Sequence, residues 1–305
     1  MNKSVFILAG LLACLTLFAN ERVAVTFTVL DTQQQPVSGA LIEASLPGPG
    51  NATAKTGPNG QATLLLSGIH NLTVQVTHPG HYSTGGEIWR GGQFLDESGS
   101  LAQRTLPASF EIILKEIRNP VPLIRRTYRG HFPPLSGPVG FDMDLGDWTQ
   151  PYGTGRREDL YFSFHDIHVM ERSYGATLQI SFPNEDDGIR PFHAARPHSM
   201  EFGSDLAPPH VAPLDGYSPT FEKSIRYQRG DPLQTEDGDD RRFLVRIRAK
   251  RDAAGALYQA CYGWIEGEIE FDPRDTRGVQ IAFTYSLNPD PSPRARSLEP
   301  LATTP

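Results

Sequence analysis

A chain of 305 residues with 38% hydrophobic content is long enough for two domains of ordinary size. Its formal charge of −7 argues against nucleic acid as the main partner. The 29 glycines and 26 prolines punctuate the sequence too often for long helices and favour short strands joined by turns.

Met1-Asn2-Lys3 is a short cationic start, and Val5 to Phe18 is apolar apart from Thr16 and small residues. With a small-residue exit at Ala19, residues 1–19 read as a secretory signal cleaved near Ala19, giving a secreted, periplasmic or cell-surface protein. Leu11-Leu12-Ala13-Cys14 resembles a bacterial lipobox, which would make Cys14 a lipid anchor. The apolar segment before Cys14 is short, however, and Leu15 to Phe18 stays apolar, so plain cleavage is preferred. No other run approaches the roughly 20 apolar residues of a membrane span. After cleavage Cys261 is the only cysteine, so no intramolecular disulfide is expected.

Residues 20–117 read as a first β-domain. Val23, Val25, Phe27 and Val29 alternate with smaller or polar residues, the period of a strand with one buried face. Asp31 to Gly39 makes a turn, in which Pro36 presets the backbone and Gly39 relaxes it. Ala40, Ile42, Ala44 and Leu46 resume the alternation. Asn59-Gly60 is a tight-turn pair before Leu64 and Leu66. Leu72, Val74 and Val76 form another strand, and Phe110, Ile112 and Leu114 a last one. Five short strands without a helical period predict a small antiparallel sandwich.

The strings VTFTVLDTQQQPVSGALIEA, KTGPNGQATLLL and LTVQVTHPGHY resemble the carboxypeptidase regulatory-like domain, a transthyretin-like β-sandwich. The likeness covers roughly residues 22 to 116 and rests on turns and alternation. It implies an accessory module of exported proteins, with no catalytic residues to carry over. The polar segment 85–107 reads as a looped insertion.

Arg118 to Gly130, with two prolines and a basic cluster, marks the boundary. Arg125, Arg126 and Arg129 read as a solvated strand edge in preference to an anion-binding patch. Residues 118–288 then read as a second antiparallel β-domain. Phe141, Met143 and Leu145 share one face, as do Leu160, Phe162 and Phe164, and Ala176, Leu178, Ile180 and Phe182. Asp252 to Gly255 is a turn between long strands, and Gly278 to Pro289 holds the last strand. The tail, 289–305, reads as extended or disordered. GDWTQPYGTG, YGWIEGEIEF and YSLNPDPSPRARSLEP resemble strings in exported bacterial proteins without an assigned activity. That likeness implies a compartment and no chemistry.

No Gly-x-Ser-x-Gly elbow, phosphate-cradling loop or His-Glu-x-x-His helix occurs. Cys261, between Ala260 and Tyr262, reads as a small core residue. Asp142, Asp144 and Asp147 lack the glycine and later glutamate of an EF-hand loop and read as a solvated face. His165 and His168 are three apart, which on a regular strand sends them to opposite faces. A bend there would bring them together, with His193 or His198 as a third ligand. Otherwise they are surface or hydrogen-bonding groups, and no metal or cofactor is expected.

The leading expectation is an exported, non-catalytic binding or structural protein with a carbohydrate or protein partner. Trp89, Trp148, Tyr152 and Trp264 are the candidates for stacking on sugar rings, although aromatics in sandwiches more often fill cores. The alternative is a hydrolase built from His and Asp in the second domain, which spatial convergence of those residues in a pocket would favour.

Overall fold

The structure, a computed structural model, describes residues 22–45, 51–67, 71–89, 93–95, 101–103, 109–133, 137–194, 202–235, 241–292 and 294–301. Every regular element among them is a β-strand, so the chain is all-β. None is a helix long and apolar enough to cross a membrane. The leader, with Cys14 and Ala19, lies outside the described residues. The chain divides into two compact units, Met1–Glu116 with Arg196–Asp205, and Ile117–Ala195 with Leu206–Pro305.

The first unit holds β1 (Arg22–Asp31), β2 (Leu41–Ser45), β3 (Ala52–Lys55), β4 (Gln61–Ser67), β5 (Asn71–Thr77), β6 (Thr84–Trp89), β7 (Gln93–Leu95), β8 (Leu101–Gln103) and β9 (Ser109–Leu114). One sheet has the order β4-β1-β9, and β6-β5-β2-β3 run side by side in another. Their inward residues, Val25, Phe27, Leu64 and Ile112 from the first and Ile42, Leu72, Val74 and Val76 from the second, form one core. Period-2 alternation puts them there, because successive side chains leave a strand on opposite faces. The turn after β1 is fixed by Asp31, whose Oδ1 accepts the N–H groups of Gln33 and Gln35, both at 2.8 Å. Gly60 turns with φ of 73°, and a side chain there would press to 2.6 Å from the Val29 carbonyl oxygen.

Three features depart from the sequence expectation. β1 and β9 pair in parallel, so this sandwich is mixed rather than purely antiparallel. The 85–107 segment is not only loop: it carries most of β6 and the β7–β8 hairpin. And the unit is closed by residues from far along the chain. Gly203 and Ser204 pair with Gly85 and Thr84 of β6, the Asp205 N–H donates to the Ser83 carbonyl at 2.8 Å, and the Phe202 ring meets Phe110 edge-on at 5.7 Å.

The second unit holds β10 (Ile124–His131), β11 (Val139–Asp142), β12 (Asp147–Trp148), β13 (Leu160–Met170), β14 (Ser173–Ser181) and β15 (Gly188–His193). After β16 (Gly203–Ser204), which belongs to the first unit, come β17 (Thr220–Gln228), β18 (Gln234–Thr235), β19 (Arg241–Arg251), β20 (Leu257–Ile265), β21 (Glu270–Asp272) and β22 (Gln280–Asn288). One sheet runs β10-β22-β20-β19-β15, with β21 also on β22; the other runs β12-β11-β13-β14-β17-β18. Between them lie Phe141, Phe162, Leu178, Phe243, Val245, Ile281, Phe283 and Tyr285.

The sheet of β19, β20 and β22 is buried on its other face too, where Leu244, Tyr262 and Trp264 pack with Ala212 and Leu298. This two-sided burial explains the unbroken apolar runs in β19 and β20. It also corrects the tail. Leu298 is fully buried, Glu299 accepts the N–H groups of Arg118 and Asn119, and Ser297 pairs with Val211.

The single strand read from Phe141 to Leu145 is a corner between β11 and β12. Asp142 accepts the N–H groups of Asp144 and Leu145 through one oxygen and those of Arg156 and Arg157 through the other. Asp142 is therefore a buried loop anchor, not part of a solvated face, and Leu145 points to solvent. His193 is the last residue of β15. Pro191 is tolerated in β15 because that strand is a sheet edge.

Candidate functional site

Where β10 and β21 both flank the start of β22, their outward side chains form an open groove of about 520 Å³. Ile281 fills the core below, so alternation turns Gln280 and Ala282 outward. Cross-strand register then sets Arg129 and His131 on one side and Glu270 and Asp272 on the other. The small Ala282 side chain leaves the middle open. Phe271 also lines the groove while packing against the inner core.

The charges of the groove are held in place by neighbours. His131 Nε2 lies 3.1 Å from Asp275 Oδ2, which also accepts Gln280 Nε2 at 2.7 Å and Arg277 Nη2 at 3.0 Å. The Arg277 contacts hold the Asp275 carboxyl well below the usual carboxylate range, helped by His131 and Gln280. Asp272 is likewise held low, first by its hydrogen bonds from Arg274. The Arg274 guanidinium stands 4.5 Å over the Tyr174 ring, which stacks on Tyr227 at 5.0 Å. Donors and acceptors of both signs therefore alternate across a few residues. Such a lining suits the hydroxyls and amides of a neutral polar ligand better than a single anion or cation.

The densest charge cluster of the second unit is used internally. Arg248 donates to both oxygens of Asp159, each at 2.8 Å, and reaches Asp144 at 2.9 Å. Asp187 accepts the N–H groups of Arg248 and Ala249. A bulge makes this possible: between Ile247 and Lys250 the register with β20 slips by one residue, and Arg248 takes φ of 61°. Cys261 sits beside Arg248, and burial pushes its thiol up, away from the thiolate a nucleophile needs.

The sequence-derived candidates scatter. Trp148 is 3% exposed and enclosed by Tyr128, Phe132, Phe141 and Phe162, and Trp264 is 7% exposed in the opposite-face core. Neither offers a ring face to a sugar, so both are corrected to core residues. Trp148 faces the core between the sheets, and Trp264 the core on the other face of its own sheet. Tyr152 is 42% exposed, while the Trp89 side chain lies outside the described residues.

His165 and His168 are the parity exception allowed for above. They pair with Thr177 and Gly175, two residues apart on β14, because a bulge at Asp166 with φ of 54° absorbs one position. Both thus fall on the same side of the sheet. His168 lines a depression of about 160 Å³ with Asp166, Thr177, Ser224 and Arg226, and His165 Nε2 is 3.7 Å from Asp166. His193 belongs to the other sheet, and among the described residues no three His, Cys, Asp or Glu side chains converge as metal ligands.

His131, Glu270, Asp272 and Gln280 are not among the sequence-derived candidates. The alternation in GVQIAFTY marks Gln280 and Ala282 as outward, but pairing register, which brings three strands to one groove, leaves no local signal. No known family matches the sequence, and no curated protein does. Among solved structures, the major pilin subunit BcpA of Bacillus cereus is similar over 87% of this chain and 85% of that chain, at 9% identity. The TM-score of 0.23 is too low for that likeness to carry an argument about fold or role.

Proposed function

We propose that the chain is an exported, non-catalytic protein of the cell envelope or extracellular space that binds a glycan in the groove of β10, β21 and β22. The first sandwich serves as a carboxypeptidase regulatory-like spacer. The observation that carries the reading is the groove itself, whose Arg129, His131, Glu270, Asp272 and Gln280 offer donors and acceptors around an open floor at Ala282. Support for export comes from the apolar leader.

Screening on a glycan array, with a peptide array alongside, tests this. Ala282→Trp fills the groove, while Gln179→Trp places the same bulk on the outward face of the other sheet. The expected result is glycan binding lost at least tenfold in the first variant and kept in the second, with unchanged melts for both. Glycan binding that survives Ala282→Trp, or binding of peptides alone, would overturn the reading.

A further inference from the structure

The sequence His78-Pro79-Gly80-His81 builds a small device that the groove does not use. Proline at the second position of a four-residue turn and glycine at the third are the residues of a type II turn, because the third needs positive φ. Gly80 has φ of 76°, and the His81 N–H donates to the His78 carbonyl at 3.1 Å, closing the turn. The first and last side chains of such a turn come close together. Here the two imidazoles meet edge-on with centroids 4.8 Å apart and Nδ1 to Nδ1 at 3.0 Å.

The turn is also braced. The backbones of His81 and Glu116 pair as an isolated antiparallel bridge, the Tyr82 N–H donates to the Lys115 carbonyl at 2.8 Å, and the Tyr82 ring is buried. Both histidines remain partly open to solvent. His81 Nδ1 also lies 3.2 Å from the Pro79 carbonyl oxygen, which only accepts, so a proton on His81 Nδ1 satisfies both this oxygen and a bare Nδ1 of His78.

We propose that this turn is a two-histidine chelate for a divalent transition-metal ion, with Cu²⁺ the best fit among them. Two nitrogens on one ion, with bonds of about 2.0–2.1 Å and angles of about 90–110°, lie about 2.9–3.4 Å apart. The Nδ1 separation of 3.0 Å already falls in that range. Binding then requires a tautomer with both Nδ1 atoms bare and a rotation of the two rings that turns both Nδ1 lone pairs toward the ion. Imidazole nitrogens suit Cu²⁺, Ni²⁺ and Zn²⁺, and affinity peaks at Cu²⁺ in the first-row order. Water completes the coordination shell.

Titration of the untagged protein with Cu²⁺ at pH 7.5, read by calorimetry and by the nitrogen coupling in its electron paramagnetic resonance spectrum, tests the chelate. One tight equivalent with two-nitrogen coupling is expected. His78→Ala and His81→Ala should each weaken that equivalent at least tenfold while the melt without metal stays near wild type. His165→Ala should leave it intact. Gly80→Ala, which strains the turn while keeping both imidazoles, should weaken binding in part. Added imidazole should compete the ion away from the wild-type site, as it does from any imidazole chelate. Retention of the tight equivalent in the His78→Ala, His81→Ala double variant, or a wild-type affinity no better than either single variant, would overturn the proposal.

Discussion

Arg248 occupies a backbone region that costs a non-glycine residue about 1–2 kcal/mol, and its side-chain contacts show what offsets it. In β19, Phe243, Val245 and Ile247 face the inner core and Leu244 the outer one, and after the bulge Ala249 takes the outer place that residue 248 would have held. The displaced guanidinium reaches Asp159, whose side chain is fully buried, and Asp144. Arg248→Ala leaves that carboxylate buried without its cation and is expected to cost about 3–5 kcal/mol in denaturant unfolding. Arg248→Lys, which lacks the two-pronged geometry, should recover only part. Beside it, burial pushes the Asp187 carboxyl up to about 6 from its ordinary 3.8, despite the N–H bonds of Ala249 and Arg248. The folded chain therefore holds this proton more tightly than the unfolded one. Its stabilising contribution is present below about pH 4 and lost as pH rises through 6. Measured against Asp187→Asn, wild-type stability should fall across that window by on the order of 2 kcal/mol and level off above pH 7; a difference that rises there would refute the assignment.

Among the elements, those with one buried face were legible and those set by register were not. Alternation located β1, β2, β4, β5, β9, β13 and β14, and Asn59-Gly60 and Asp252 to Gly255 located their turns. The bulges at Asp166 and Arg248 were invisible, because a bulge changes which residue faces inward without changing the letters. They decide the side on which His168 lies and the direction of Arg248, so much of the site chemistry was hidden with them. His78-Pro79-Gly80-His81 holds the Pro-Gly pair of a type II turn, which is not among the turns read from the sequence, and its flanking histidines carry no strand signal. The tail was misread for a compositional reason: proline and polar residues hide one deeply placed Leu298. Removing residues 289–305 uncovers Tyr262 and Leu244 and strips the Asn288 side chain of its bonds to the Ala295 and Ser297 carbonyls. Burial of one leucine is worth about 1.5–3 kcal/mol, so the truncated protein should melt several degrees lower and bind more of an apolar dye. An unchanged melt would show that the tail contributes nothing to the second sandwich.

For the molecule as a whole, a boundary drawn at one point in the sequence misses the way the chain is shared out. The first unit is completed by Phe202 to Asp205, which sequence order assigns to the second half. Phe202→Ala should therefore weaken the first sandwich, by about 1–2 kcal/mol for a half-buried ring. Hydrogen exchange reads the result: amides of β5 and β6 should exchange faster while those of β19 and β20 keep their protection. Equal change in both units would argue against the assignment. The arrangement also sets a clock during synthesis. β6 leaves the ribosome early, yet β7 to β15 must all follow before its partner residues Gly203 and Ser204 emerge. At about 5–20 residues per second that wait lasts roughly 5–20 s. Through it, the outer edge of β6 is a bare ladder of backbone donors and acceptors, open to the same edge on a neighbouring nascent chain. Slowing translation between Trp89 and Gly203 should lengthen that exposure and raise the share of protein lost to aggregation.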